Sequence, residues 1–254
     1  MPRRAEVLAH YFKSTIKRVV PRSIYKPIIA RWRGRKPVPA DLLPILTPVS
    51  RLHGLDRGFP IDRYYIEKFL AAHAADIRGH TLEMGDLRYT KKFGRDRVSS
   101  ADVLHFGQGN REATLLGDLS SEDTLPAGVF DCMIVINTFL LIYDVRAAVR
   151  NCYRALRAGG VLLAHFPGIC PRIPYDPSWA GDYWRFTSTS VRQLFEESFP
   201  ARNIEIEVYG NVRSATAFLY GLAAEELRPE ELDYRDHDYE MLITVRAVKP
   251  DSYK

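Results

Sequence analysis

Between residues 81 and 166 the chain alternates short apolar runs with amphipathic segments, a pattern typical of a parallel sheet wrapped by crossover helices. The apolar runs are nearly continuous, as expected for strands that are covered on both faces. The pattern predicts five strands in this region: Thr81–Met84, Asp102–Phe106, Ala113–Leu116, Asp131–Ile136 and Val161–Phe166.

Three helical patterns accompany these strands. The first begins near Ile61 and is predicted to end at Gly79. The second lies between the fourth and fifth strands and is predicted to end at the Gly159-Gly160 pair. The third covers Thr189–Phe199, where Ser190 is predicted to open a capping box.

The last part of the chain contains two runs of alternating apolar and polar residues. They are Asn203–Tyr209 and Met241–Val248, and a helical segment around Ala215–Leu227 separates them. Such a pair would close the sheet with an antiparallel edge strand. The predicted fold class is therefore α/β, a Rossmann-like and mostly parallel seven-stranded sheet with an N-terminal helical arm.

Charge separates the N-terminus from the rest of the molecule. Residues 1–36 hold eleven Lys or Arg against Glu6 alone, a net charge of +10, whereas the whole chain carries +5. Leu8, Phe12 and Ile16 recur at helical spacing, which favours a basic amphipathic helix. This arm would contact a membrane surface peripherally or dock on the domain. Nucleic acid is not favoured, because no binding module is recognisable.

Prolines at positions 37, 39, 44 and 48 interrupt the following stretch. The predicted organisation is an arm and linker over residues 1–50 and a single α/β domain over 51–254. No apolar run approaches bilayer length, and no signal peptide opens the chain, so a cytoplasmic location is expected. The three cysteines are isolated and predict reduced thiols, and no metal site is predicted.

Polar residues follow the predicted strands, where ligands bind in open parallel sheets. The first strand leads into Glu83-Met84-Gly85-Asp86, in which a glycine allows a tight turn and close approach of a ligand. The acidic residue before the glycine argues against a nucleotide phosphate. A nicotinamide-dependent enzyme needs G-x-G-x-x-G here, and an esterase needs G-x-S-x-G, and neither motif is present.

The chain resembles the class I S-adenosylmethionine-dependent methyltransferase family over about residues 61–200. The strongest part of the likeness covers residues 117–167. The motifs that carry it are Gly117-Asp118-Leu119, Leu125-Pro126, Phe130-Asp131, Asn137, and the run from Tyr153 to Gly160 that leads into Val161-Leu162-Leu163-Ala164.

The resemblance implies that the cofactor is S-adenosyl-L-methionine (SAM), bound by Glu83, Gly85, Asp86, Asp118, Leu119 and Asn137. Glu83 and Gly85 would flank the methionine part and Asp118 and Leu119 the adenine, while Asn137 would border the methyl-transfer channel. Structural roles are the alternative. Glu83 would then cap a helix, Asp118 stabilise a turn, and Asn137 be a buried amide.

Two features depart from the family pattern. Leu87 and Tyr89 stand where further glycines usually occur, and the second strand ends at His105 instead of the acid that binds the ribose hydroxyls. Glu112 is a candidate substitute for that acid. These departures keep open a second hypothesis, a degenerate methyltransferase-like domain that acts as a binding partner in glycan or natural-product assembly.

For a hydroxyl acceptor, methyl transfer needs alignment and a base. His165, at the end of the fifth strand, and Asp182 are the candidate bases, although a structural role for His165 is equally compatible with the sequence. The segment around Asp182 resembles one that forms the acceptor side of the cleft in many family members.

Tyr183, Trp184 and Arg185 would form an acceptor wall that stacks on a ring and binds an anionic group. The alternative is that Trp184 and Phe186 fill the core.

A narrower resemblance concerns the acceptor. The stretch Asp56–Tyr65 is similar to bacterial glycosyltransferase-associated methyltransferases. It implies O-methylation of a sugar, a glycan or another small hydroxylated acceptor. A natural product, an amine or a lipid-linked molecule remains an alternative, because fold and cofactor do not fix the acceptor.

Overall fold

The strands form one seven-stranded sheet in a computed structural model that describes residues 46–173 and 181–251. The predicted basic arm and most of the linker lie outside the described residues. The strands are β1 (Gly79–Met84), β2 (Val98–His105), β3 (Leu115–Leu116), β4 (Phe130–Val135), β5 (Leu156–Pro167), β6 (Ile204–Tyr209) and β7 (Leu242–Val248).

The strand order is β3-β2-β1-β4-β5-β7-β6. The five strands from β1 to β5 run parallel, and β7 pairs antiparallel with both β5 and the edge strand β6. This confirms the predicted fold class. The chain order reverses between β1 and β4, so the crevice at their carboxyl ends is the place where ligands bind in such sheets.

The helices are α1 (Ile61–Ala72), α2 (Val145–Ala155), α3 (Ser188–Glu196), α4 (Val212–Tyr220) and α5 (Pro229–Asp233). The helical segment predicted around Ala215–Leu227 is instead the second part of α4, which Gly221 ends in a left-handed conformation (φ 74°), followed by a 3₁₀ turn at Ala224–Glu226. A π-helical turn, Thr90–Gly94, connects β1 to β2.

The first two helices end earlier than predicted. α1 stops at Ala72, because His73 leaves the helical conformation and a 3₁₀ turn follows at Ala74–Asp76. α2 stops at Ala155, because Leu156 already pairs with Phe130 as the first residue of β5. The glycines expected to end these helices instead lie in strands.

The capping box of α3 begins three residues before its predicted position. Thr187 is the N-cap, and its side-chain oxygen accepts a hydrogen bond from the backbone N–H of Ser190 at 3.2 Å. The Ser190 hydroxyl accepts one from the backbone N–H of Thr187 in return, at 3.1 Å. Each side chain therefore accepts a hydrogen bond from the backbone N–H of the other residue, and their three-residue spacing is that of a capping box.

The core lies on both faces of the sheet. One cluster packs α2 and α3 against the strands, and a second packs α1 and α4 on the opposite face. On that second face the buried Tyr65 hydroxyl donates to the Leu232 carbonyl at 2.8 Å, which ties α1 to α5. Within residues 46–173 and 181–251, no helix is both long and apolar enough to span a bilayer.

Candidate active site

A cavity of about 420 Å³ lies where the carboxyl ends of β1, β2 and β4 meet. This volume is within the range of small-molecule sites, roughly 300–1,000 Å³. Its walls combine apolar side chains, such as Leu104, Ile134 and Ile136, with a few polar groups. All six residues predicted to hold the cofactor line this cavity: Glu83, Gly85, Asp86, Asp118, Leu119 and Asn137.

Glu83 forms the buried back wall of the cavity and is only 3% exposed. Its two carboxylate oxygens accept hydrogen bonds from the backbone N–H groups of Tyr89 (3.0 Å) and Thr90 (2.8 Å). Burial raises the pKa of Glu83 above the usual range. The Glu83 side chain therefore caps two backbone N–H groups and stabilises the turn after β1.

Gly85 occupies the tight turn itself, with φ of +81°. Its N–H donates to the Leu104 carbonyl at 3.0 Å, which joins the turn to β2. A Cβ placed on Gly85 would meet nothing within 4 Å, and the same holds at Gly107 on the facing loop. Both glycines therefore border open space inside the cavity, which a ligand can occupy.

The other acidic residues sit on the two loops that face this space. Asp86 accepts from the Arg88 N–H at 2.8 Å and pairs with the Arg88 guanidinium at 3.5 Å. Asp118 accepts from the Ser120 N–H at 2.8 Å, a turn contact that leaves its second carboxylate oxygen without a hydrogen bond among the described residues. Leu119 beside it is buried.

Asn137 follows β4 with a strained backbone, because φ is +52° at a residue other than glycine. Such outliers concentrate at functional sites, where the surrounding structure holds them in place. The Asn137 N–H donates to Nδ1 of His165 at 3.3 Å. The strain therefore places Asn137 at the cavity edge of β4, with His165 behind it.

His165 does not line the cavity and is 3% exposed. Burial, and then the positive charge of Arg63, lower its pKa to about 3. The imidazole accepts a hydrogen bond from backbone, so the structure shows it in the structural role that the sequence left open.

Lowering the pH is expected to destabilise the protein through His165. Because its folded-state pKa is about 3 and its ordinary value 6.5, the unfolded chain alone takes up this proton between those values. The free energy of unfolding should then fall by up to about 1.4 kcal/mol per pH unit in that window. Urea unfolding of wild type and His165→Gln at several pH values measures the difference in slope.

The exposed His237 supplies the control. His237→Gln should keep the wild-type slope. If His165→Gln also keeps it, proton uptake by a buried neutral His165 is not what limits acid stability.

Asp182 and Arg185 also lie outside the cavity lining, and they bind each other. Two hydrogen bonds join their side chains, at 2.5 and 2.9 Å, and Asp182 accepts a third from the Ile173 N–H. Arg185 uses its other contacts on the carbonyls of Pro171 and Trp184. In the structure, this ion pair stabilises the conformation of its own segment.

An aromatic cluster stands beside the cavity wall and consists of Tyr143, Tyr183 and Trp184. The Tyr143 ring centroid lies 5.4 Å from that of Tyr183 and 5.8 Å from that of Trp184. The Trp184 indole N–H donates to the carbonyl of Ile142, a cavity-lining residue, at 3.0 Å. Tyr143 is 71% exposed, so this cluster presents ring surface to solvent.

Phe186 has a different environment. Its ring packs edge-on against the buried Phe166, with centroids 5.0 Å apart. Phe186 therefore fills the core, as the alternative interpretation held, whereas Trp184 bridges the core and the aromatic cluster.

Arg63, Tyr89 and His105 are among the cavity residues that the sequence did not single out as ligand-binding. Arg63 donates to the Tyr89 hydroxyl at 2.6 Å. Nδ1 of His105 lies 2.8 Å from the Gly107 carbonyl, so the ring is tied to its own loop. Their only sequence signal is position: Arg63 is in the first turn of α1, and His105 ends β2. Glu112 is exposed and outside the cavity lining.

Comparisons with known proteins agree with this geometry. A family model described as a methyltransferase domain matches residues 99–164, which run from β2 through β5. A search of curated protein sequences finds no match to the chain.

Among solved structures, a SAM-dependent methyltransferase from Archaeoglobus fulgidus is similar at 11% identity and a TM-score of 0.50, covering 74% of this chain and 94% of that one. Phosphoethanolamine N-methyltransferase 2 from Haemonchus contortus, solved with SAM, is similar at 12% identity and a TM-score of 0.47, covering 82% and 54%. At such identities the likeness concerns the fold.

The family-model match includes β2 and β4, two of the three strands whose ends form the cavity, and begins after β1. The sheet order and the crevice at its switch point are those expected of the class I fold. The chain therefore has the fold of the class I S-adenosylmethionine-dependent methyltransferases, and its residues 99–164 are similar to a methyltransferase domain.

Proposed function

We propose that SAM binds across this cavity, with its methionyl part at the Gly85–Asp86 turn and its adenosine beside Asp118 and Leu119. The observation that carries the proposal is the open space at Gly85, next to apolar walls and an acidic rim. Carboxylates near a sulfonium offset its positive charge, and a flat adenine needs apolar contacts. The residues present thus fit the cofactor.

When bound, the cofactor supplies an electrophilic methyl group. The chain contributes alignment and exclusion of water, which are the main requirements of a direct displacement. Ile134 in β4 and Ile136 just after it form an apolar part of the cavity wall. Asn137, held in its strained conformation at the end of that strand, borders the space where acceptor and methyl group would meet.

For the acceptor we propose a hydroxyl on a sugar, a glycan or another small ring-bearing molecule. The aromatic cluster supports this choice, because exposed rings stack on planar or sugar rings and the cluster adjoins Ile142 in the cavity wall. The resemblance to glycosyltransferase-associated methyltransferases implies a sugar acceptor, and the acceptor assay below tests this hypothesis.

Neither candidate base has direct access to this space, so we propose that the acceptor hydroxyl releases its proton to bulk water and not to a side chain of the protein. His165 is buried behind Asn137, and the guanidinium of Arg185 contributes to a lowered pKa of the Asp182 carboxyl. We therefore give Asp182 and Arg185 a positioning role: their ion pair orients Tyr183 and Trp184 toward the acceptor.

Removing an aromatic ring from the cluster should weaken acceptor binding. We expect Tyr143→Ala to raise the acceptor KM by roughly 3- to 10-fold, the loss of one ring contact, with kcat little changed. Steady-state kinetics with a labelled methyl group give both constants. Tyr234→Ala, at a comparably exposed tyrosine elsewhere, is the control. An unchanged KM in Tyr143→Ala would remove the cluster from the acceptor site.

The proposed function is tested in two steps. Isothermal titration with SAM should show binding at micromolar strength, and labelled methyl transfer should then be measured against nucleotide sugars, glycolipids, phenols and amines. Transfer to a sugar hydroxyl would support the full proposal. Binding with transfer only to an amine would reject O-methylation, and no heat with SAM would favour the degenerate binding domain.

A further inference from the structure

Arg63 brings a positive charge to the cavity wall and forms no ion pair with a carboxylate of residues 46–173 and 181–251. It is half-buried and lines the cavity near the β1 turn. No acidic oxygen of the described chain lies within 4.0 Å of its guanidinium, whereas ten of the other nineteen described arginines form an ion pair. A partly buried cation without an ion pair is costly, so its position at a ligand cavity favours an anionic ligand group.

The surrounding groups hold Arg63 in place but do not neutralise it by contact. Nη1 donates to the Tyr89 hydroxyl at 2.6 Å. The neighbouring Asp62 carboxylate accepts the backbone N–H of Arg63 at 2.8 Å. The charges of Asp62 and, more weakly, of Asp86 also act on the Arg63 guanidinium, but from beyond ion-pair distance.

The donors that remain have the geometry of a carboxylate site. Nε and Nη2 of Arg63 donate to no acceptor within residues 46–173 and 181–251. These two N–H groups point the same way in a planar guanidinium, and such a fork matches both oxygens of one carboxylate.

We propose that Arg63 binds the α-carboxylate of the methionyl group of SAM through Nε and Nη2. The position supports the cofactor as the source of this carboxylate, because Tyr89, which holds Arg63, follows directly from the Gly85–Asp86 turn. The inference rests on the proposed binding site for SAM. It makes Arg63 the residue that distinguishes a cofactor with an amino-acid tail from a simple adenosyl thioether.

The test is isothermal titration with two ligands that differ by this tail. S-adenosylhomocysteine carries the carboxylate, and 5′-methylthioadenosine lacks it. We expect Arg63→Gln to weaken S-adenosylhomocysteine by about 10- to 100-fold, the loss of a charge-assisted pair, and to change 5′-methylthioadenosine by less than about 3-fold. Tyr89→Phe, which removes the hydroxyl that holds Arg63, should shift only S-adenosylhomocysteine, and by less.

Lys68→Gln is the matched control, because it removes a cation from the exposed side of the same helix. It should leave both affinities unchanged. The inference is overturned if Arg63→Gln leaves S-adenosylhomocysteine binding intact, or if it weakens both ligands equally. Binding of neither ligand to the wild type would instead reject the proposed cofactor site.

Discussion

Replacing Gly85 with valine is expected to reduce SAM affinity by at least about 100-fold while the chain stays folded. A side chain at this position meets no protein atom within 4 Å, so it projects into the space assigned to the ligand. Because φ is +81°, the substitution also strains the backbone, at a cost of about 1–3 kcal/mol. Isothermal titration and urea unfolding separate the two effects.

Gly128 provides the control for strain alone. Its φ is +67°, a Cβ there also meets nothing within 4 Å, and it does not line the cavity. Gly128→Val should therefore lose similar stability and retain SAM affinity. If both variants lost affinity in parallel, strain would explain the loss, and the open space at Gly85 would have no special role.

Replacing Glu83 with glutamine should cost about 1–3 kcal/mol of unfolding free energy and about tenfold in SAM affinity. An amide can accept only one of the two backbone hydrogen bonds, so its NH₂ group would face a buried N–H of Tyr89 or Thr90. The turn that carries Gly85 would then shift. Urea unfolding at neutral pH and titration with SAM measure the two losses.

Glu112→Gln is the matched control, because it makes the same chemical change at an exposed carboxylate outside the cavity. We expect neither stability nor affinity to change. A loss of affinity in Glu112→Gln would revive the idea that Glu112 replaces the ribose-binding acid. An unaltered Glu83→Gln variant would show that the cap is dispensable.

Strands were more predictable than helix ends. The apolar runs that gave β1, β4 and β5 are buried on both faces, so their hydrophobicity identifies them directly. A helix end depends on tertiary pairing as well: α2 ends at Ala155 because Leu156 joins β5, which no local signal at Gly159 reveals.

The site residues also differ in how far the sequence could predict them. Residues placed by strand ends, such as Gly85, Asp118 and Asn137, come together as predicted at the switch point of the sheet. The roles of His165 and Asp182 depend on burial and on partners, which adjacency to a strand does not specify. Arg63 was missed because it enters the cavity from α1, and helical periodicity marks the apolar face of that helix instead.

A crystal structure with S-adenosylhomocysteine tests the central claim most directly. We predict adenine density beside Asp118 and Leu119, the thioether sulfur between Gly85 and Asn137, and the carboxylate on Arg63. Ligand density elsewhere, or a cavity that stays closed to the ligand at saturating concentration, would contradict the assigned cofactor site.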